Sequence, residues 1–297
     1  QALGACRDYV AMAVQTWQMP EDKAGGAWEQ DYDSWALGYA GLFLSECLAQ
    51  GPEDVPLRKT LEFVAKRLGE AQEESGGWAH RSHQVNVLGY KELAAPALLV
   101  LPALVAIQAR GVPAPEAALK KGLAYLRKLQ EDDGGFSYAH DRRGYTQVGR
   151  SAGVLHALRM AGAKADEPEL QRAAAYLHER AAYAPYGHGS QMLNLLWCGW
   201  AAAVTGPEAS ARVWAENRHL VWAARQPDGA FAALPRCEYG IFQGQMQTLE
   251  PYDADSEQYL GKDEPKAIAV WRAAHHLIFW YAPERNLSWM KQAVPKK

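Results

Sequence analysis

Four stretches of the chain return to one pattern, a polar run closed by glycine and then an aromatic ring. "QEDDGGFSYAH" (130–140) and "AQEESGGWAH" (71–80) are close copies; "ARQPDGAF" (224–231) and "QMPEDKAGGAW" (18–28) are looser ones. One such stretch would be a turn, but a turn that recurs along the chain implies a repeated supersecondary unit. Glycine supplies the positive φ that stops a helix abruptly, and the aromatic ring can then fold back onto neighbouring helices.

Apolar residues recur with helical period near 2–16, 34–49, 56–72, 93–110, 114–129, 148–161, 167–182, 190–204, 207–225 and 266–281. No segment alternates as a strand would. The turns "GPEDVP" (51–56), "GVPAPE" (111–116) and "TGPE" (205–208) are short, with proline near a helix start. The other links, 17–33, 73–92, 130–147, 183–189 and 226–265, are long. Short and long links alternate, so helices pair as outer helix, long loop, inner helix, short turn. The segments at 34–49, 93–110, 148–161, 190–204 and 266–281 are apolar nearly all round, as a doubly covered inner layer requires. "LRKTLEFVAKRLGEAQ" and "EAALKKGLAYLRKLQ" are amphipathic outer helices. The expectation is an all-α fold: one domain over 1–297, an α/α toroid of about five helix pairs, incompletely closed if a terminal unit is short. The long loops then gather at one open end, with 226–265 lying over it.

The chain has 297 residues, 48% hydrophobic and 22% charged, with a net charge of −3 and scattered basic residues. No nucleic-acid footprint is present in that pattern. The longest apolar run (93–109) holds two prolines and reads as a buried helix, so no membrane span is expected. Four cysteines lack CxxC spacing. Cys6 and Cys47 fall at ends of the first two helices that meet in an antiparallel pair, which makes a disulfide geometrically possible; two free thiols is the alternative.

The Q-x-x-x-G-G-[FW] pattern resembles the repeat of the squalene cyclase and protein prenyltransferase superfamily, whose α/α toroids carry such Gln/aromatic signatures. The fold hosts cyclases, transferases, lyases and non-catalytic domains, so the resemblance implies architecture and little chemistry. "DSWALGYAGLFLSECLA", "GGWAH…LGYKEL", "YGHGSQMLNLLWCGWAAAVTGPEA" and "ARQPDGAFAALP" look like segments, in the same order, of an exported bacterial toroid family carrying a domain of unknown function. That likeness implies a periplasmic or extracellular location with the leader removed, and supplies no catalytic residues.

A terpene cyclase protonates an alkene with the middle Asp of a D-x-D-D run. "DYDS" (31–34) and "DADS" (253–256) lack the fourth Asp, and an Asp ahead of a helix is more often a cap. A zinc prenyltransferase needs converging Asp, Cys and His; Cys198, Cys237 and His188 do not make that pattern, and neither a metal nor another cofactor is expected.

The loop end collects a third kind of chemistry. His80, His140 and His188 are candidates for proton transfer, with Tyr138 and Tyr145 as positioning groups. Asp31, Asp33, Trp78, His83, Arg142, Arg143, Arg150, Tyr186, Glu238 and Tyr239 are candidate binding residues, the arginines for an anion. For any single histidine, a hydrogen bond bracing its loop is the commoner role. Taken together they suit a polar, aromatic pocket for a carbohydrate-like or anionic ligand acted on by acid/base chemistry. A non-catalytic module docking a protein partner through the same face is the alternative, and an isoprenoid enzyme of the cyclase or prenyltransferase type the second.

Overall fold

The computed structural model describes residues 2–16, 33–51, 53–80, 92–141, 143–185, 191–225, 227, 239–242 and 245–248. They divide into two compact units, one reaching Lys128 and the other beginning at Leu129. The expected tenth helix, 266–281, lies outside the described residues.

The first unit holds α1 (Ala2–Gln15), α2 (Asp33–Gln50), α3 (Val55–Glu70), α4 (Ala94–Gln108) and α5 (Glu116–Lys128). Each begins and ends within a few residues of its expected bounds, because the punctuation is chemical. Asp54 caps α3 by accepting the Leu57 N–H at 2.9 Å, and Pro56 occupies the first turn, where a missing N–H costs nothing. Glu116 opens α5 and Arg127 and Lys128 close it, each sign at the helix end it favours. On α3, Leu57, Leu61, Val64 and Leu68 are buried while Lys59, Glu62 and Lys66 face solvent. By contrast α4 is buried almost throughout, including Pro102 in its interior. α2 packs against α4 at close range through small residues: a side chain on Gly38 would come within 3.0 Å of the Leu99 Cβ, and one on Gly41 within 3.1 Å of Ala103.

The second unit holds β1 (Tyr145–Thr146), α6 (Val148–Met160), α7 (Pro168–Glu179), a 3-10 turn at Ala181–Tyr183, α8 (Gln191–Thr205), α9 (Pro207–Ala224), β2 (Tyr239–Phe242) and β3 (Gln245–Thr248). α6 is buried at every position, α8 packs along it, and α7 and α9 cover the pair from outside. Both units therefore have the two-layered wall of an α/α fold, and the class is all-α.

A small sheet departs from the helical expectation. β2 pairs with β1 in antiparallel register, Tyr145 opposite Phe242 and Thr146 opposite Ile241, and β3 pairs with β2. The strands escape a periodicity reading because β1 has two residues and the others four, too few to establish a period of two. Tyr239–Phe242, which falls within the expected 226–265 link, is thus joined by backbone hydrogen bonding to the end of the 130–147 loop.

The repeated motif is a clasp, built twice with the same bonds. Gln72 Nε2 donates to the Gly76 carbonyl at 2.9 Å and to Ala118 in the first turn of α5 at 2.8 Å. Gln130 Nε2 donates to Gly134 at 3.3 Å and to Glu169 at the start of α7 at 2.8 Å. The first glycine of each pair has positive φ, 97° at Gly76 and 85° at Gly134, and presses on a carbonyl of the next outer helix. A Cβ there would sit 2.5 Å from Lys121 O or 2.6 Å from Arg172 O, so only glycine fits. The aromatic residues are sealed in the core: Trp78 donates its indole N–H to Leu68 O at 2.7 Å, and the Phe136 N–H donates to Ser151 Oγ at 2.8 Å.

Candidate functional site

The two motifs share their register from the Gly-Gly pair to the aromatic residue, Gly76–Trp78 matching Gly134–Phe136. His80 stands two residues after Trp78, and the residue two after Phe136 is Tyr138 rather than His140. The shared "AH" dipeptide is therefore not the same structural position in the two loops, because the second loop carries two more residues before it.

His80 is a half-buried brace on the inner layer. Trp35, at the start of α2, donates its indole N–H to His80 Nδ1 at 2.7 Å, and the rings stack with centroids 5.8 Å apart. The Ser34 N–H donates to the His80 carbonyl at 3.3 Å. An accepting Nδ1 places the proton of the neutral imidazole on Nε2. Burial pushes the His80 pKa down to about 4, so the ring is uncharged at neutral pH.

Below this pair α2 carries an aromatic row. Trp35, Tyr39 and Phe43 succeed one another at intervals of four and are all half-buried, with half-buried Glu46 further along the same face. Burial raises the Tyr39 pKa and keeps its hydroxyl protonated. An inner helix of this kind would ordinarily be sealed, as α6 is. The row is written in the sequence as "WALGYAGLF", but the expected site residues came from the loops and not from helix faces.

In the second unit Tyr138 is buried and lies over the Arg150 guanidinium, 5.2 Å from carbon to ring centroid. Arg150 is wholly buried near the start of α6, donating to the Gln147 side-chain oxygen and to Phe136 O at 3.3 Å. Arg143 pairs with Glu131 at 2.8 Å and donates to Gln130 O at 2.9 Å. Glu131 also accepts from the Ser137 hydroxyl and from Gly144 N–H at 3.0 Å, so it organises the whole loop. Arg143 closes the 130–147 loop on itself, and Arg150 ties the loop to α6. His140 is exposed at its tip.

Trp78 has no exposed surface and serves the core. Asp33 is the first residue of α2, Tyr145 lies in β1 and Tyr239 begins β2, each described as backbone. Asp31, His83, Arg142, Tyr186, His188, Glu238 and Cys237 lie outside the described residues. Cys198 is buried in α8 with its thiol 3.8 Å from Ala184 O, and burial raises its pKa, which disfavours a metal-binding thiolate. Among the described residues no group of three or more His, Cys, Asp or Glu is placed to hold a metal ion, and no helix is long and apolar enough to cross a membrane.

One buried histidine had no sequence signal. His156, inside α6, packs against Trp200 of α8 with ring centroids 5.1 Å apart. Burial pushes it down to about 3, so it too is neutral.

The profile of the family described as "Domain of unknown function (DUF6288)" matches residues 8–247. The chain belongs to the DUF6288 family. No curated protein matches it. Among solved structures, this DUF6288 chain is similar to the apo type II terpene cyclase MstE from Scytonema, at 15% identity and a TM-score of 0.39, over 95% of this chain and 98% of that one. A variant of that cyclase in complex with its substrate geranylgeranyl dihydroxybenzoate is similar at 14% identity and a TM-score of 0.39, over 98% and 97%.

Proposed function

We propose that the chain is a ligand-binding α/α domain whose first unit takes a carbohydrate-like molecule along the aromatic row of α2. The observation that supports this reading most is the placement of three rings that are not fully buried, Trp35, Tyr39 and Phe43, on a helix of the inner layer. Flat rings at one-turn spacing suit the C–H faces of successive sugar rings, and the row has a polar group at either end, the His80 imidazole and Glu46. An uncharged ligand is favoured over an anionic one, because the His80 imidazole at the end of the row is neutral. With its pKa near 4, His80 is a poor proton acceptor at neutral pH. Of the two described histidines proposed for proton transfer, His140 is exposed and His80 is half-buried.

Calorimetric titration with neutral oligosaccharides, acidic oligosaccharides and an isoprenoid alcohol tests the reading, using wild type and Tyr39→Ala. Binding of neutral sugars that Tyr39→Ala weakens at least tenfold supports it. Isoprenoid binding without sugar binding overturns it in favour of an apolar ligand on the same row.

A partner-binding role has its own observation. Tyr9 and Met12 on α1 are 66% and 56% exposed, where α3 presents charged residues to solvent. Absence of any small-ligand binding, together with capture of a defined protein partner that Tyr9→Glu abolishes, would favour that reading.

A further inference from the structure

We propose that Cys6 and Cys47 form a reversible intramolecular disulfide, made by exchange with a low-molecular-weight disulfide such as oxidised glutathione, that staples α1 to α2. Two contacts place α1 against its neighbours. Arg7 pairs with Asp54 at 3.4 Å, four residues beyond the end of α2, and Gln15 donates to Thr60 of α3 at 2.6 Å. The Arg7 end of α1 therefore lies beside the last turn of α2, which holds Cys47; the Cys47 carbonyl accepts the Gly51 N–H just past the helix end. Cys6 adjoins Arg7, so both sulfurs belong to the same end of one packed helix pair. Cys6 is exposed, Cys47 half-buried, and both are free thiols. Burial is the largest influence on Cys47 and raises its pKa; the Arg7 charge opposes this, and Cys6 is itself close enough to be felt.

The chemistry follows from that asymmetry. The exposed Cys6 thiolate attacks the small disulfide, forming a mixed disulfide and releasing one glutathione thiolate. The Cys47 thiol gives its proton to solvent, its thiolate attacks Cys6 Sγ, and the second glutathione leaves. Two protein thiols are oxidised and one glutathione disulfide is reduced. Cys198 has no part in this, being sealed within α8. Because the link ties residue 6 to residue 47 and restricts the unfolded chain, the oxidised protein should melt several degrees above the reduced one.

The test uses reduced full-length protein incubated with oxidised and reduced glutathione at graded ratios, then alkylated and analysed by intact mass, tryptic mapping and thermal melting. The expected product is two hydrogens lighter, carries no adduct and joins the tryptic peptides 1–7 and 24–58. Cys47→Ser should trap a stable glutathione adduct on Cys6, and Cys6→Ser should remain unlinked. A wild-type protein that accumulates the Cys6 adduct without closing, stays fully alkylatable, or links Cys6 to another cysteine overturns the proposal.

Discussion

The side-chain amide of Gln130 donates to the carbonyl of Glu169, 39 residues away, at 2.8 Å, and so hangs one Gly-Gly turn on the first turn of the next outer helix. Gln72 makes the same bond to Ala118. Gln130→Ala should therefore leave the Glu169 and Gly134 carbonyls without their donor and lower stability by about 1–3 kcal/mol. Gly134→Ala should cost at least as much, since it meets both a positive φ and the Arg172 carbonyl. Urea titration of the two variants checks this, and a Gln130→Ala midpoint equal to wild type would mean that the clasp bond adds nothing to stability.

Phe136 and His140 belong to one loop and should behave differently. Phe136 is 1% exposed, so Phe136→Ala should destabilise by roughly 3–5 kcal/mol. His140 is exposed, and His140→Ala should change stability by about 1 kcal/mol or less. Comparing their melting temperatures decides it; equal losses would make His140 a brace.

Two neutral histidines give the fold an acid-sensitive stability. His80 and His156 titrate near 4 and 3 when folded, against about 6.5 when free. The unfolded chain binds protons first as pH falls, so their contribution is complete above about pH 6.5 and is lost as pH falls toward 4 and then 3. The loss is on the order of 3 kcal/mol or more for each. Melting curves between about pH 8 and pH 4 should show a falling midpoint. His156→Leu should flatten that fall, and an unchanged slope would assign it to other groups.

Gly149 is needed for contact rather than for φ. A Cβ there would meet the Asn194 side chain at 2.1 Å, between two helices that pack closely. Gly149→Ala should destabilise by roughly 1–3 kcal/mol, and Asn194→Ala in the same chain should recover part of that, as a double-mutant cycle would measure.

The helices and the layer each belongs to were legible in the sequence, because both follow from local chemistry. Asp54 and Pro56 mark the start of α3 wherever it packs, and the uniform apolarity of "AAPALLVLPALVAIQ" demands two covered faces. The Gly-Gly turns were legible for the same reason: positive φ is a property of the residue.

What each loop group touches was decided only by the tertiary structure. Arg143 and Arg150 read as anion binders until Glu131, Gln147 and the Phe136 carbonyl are brought within hydrogen-bonding distance of them. His80 reads as a proton carrier until Trp35, 45 residues earlier, supplies a donor to its Nδ1 and burial removes its charge. Pairing of β1 with β2 joins residues about a hundred positions apart, which no short window of sequence can register. Helix capping and apolar periodicity act over a few residues, whereas desolvation and ion pairing depend on which neighbours the fold delivers.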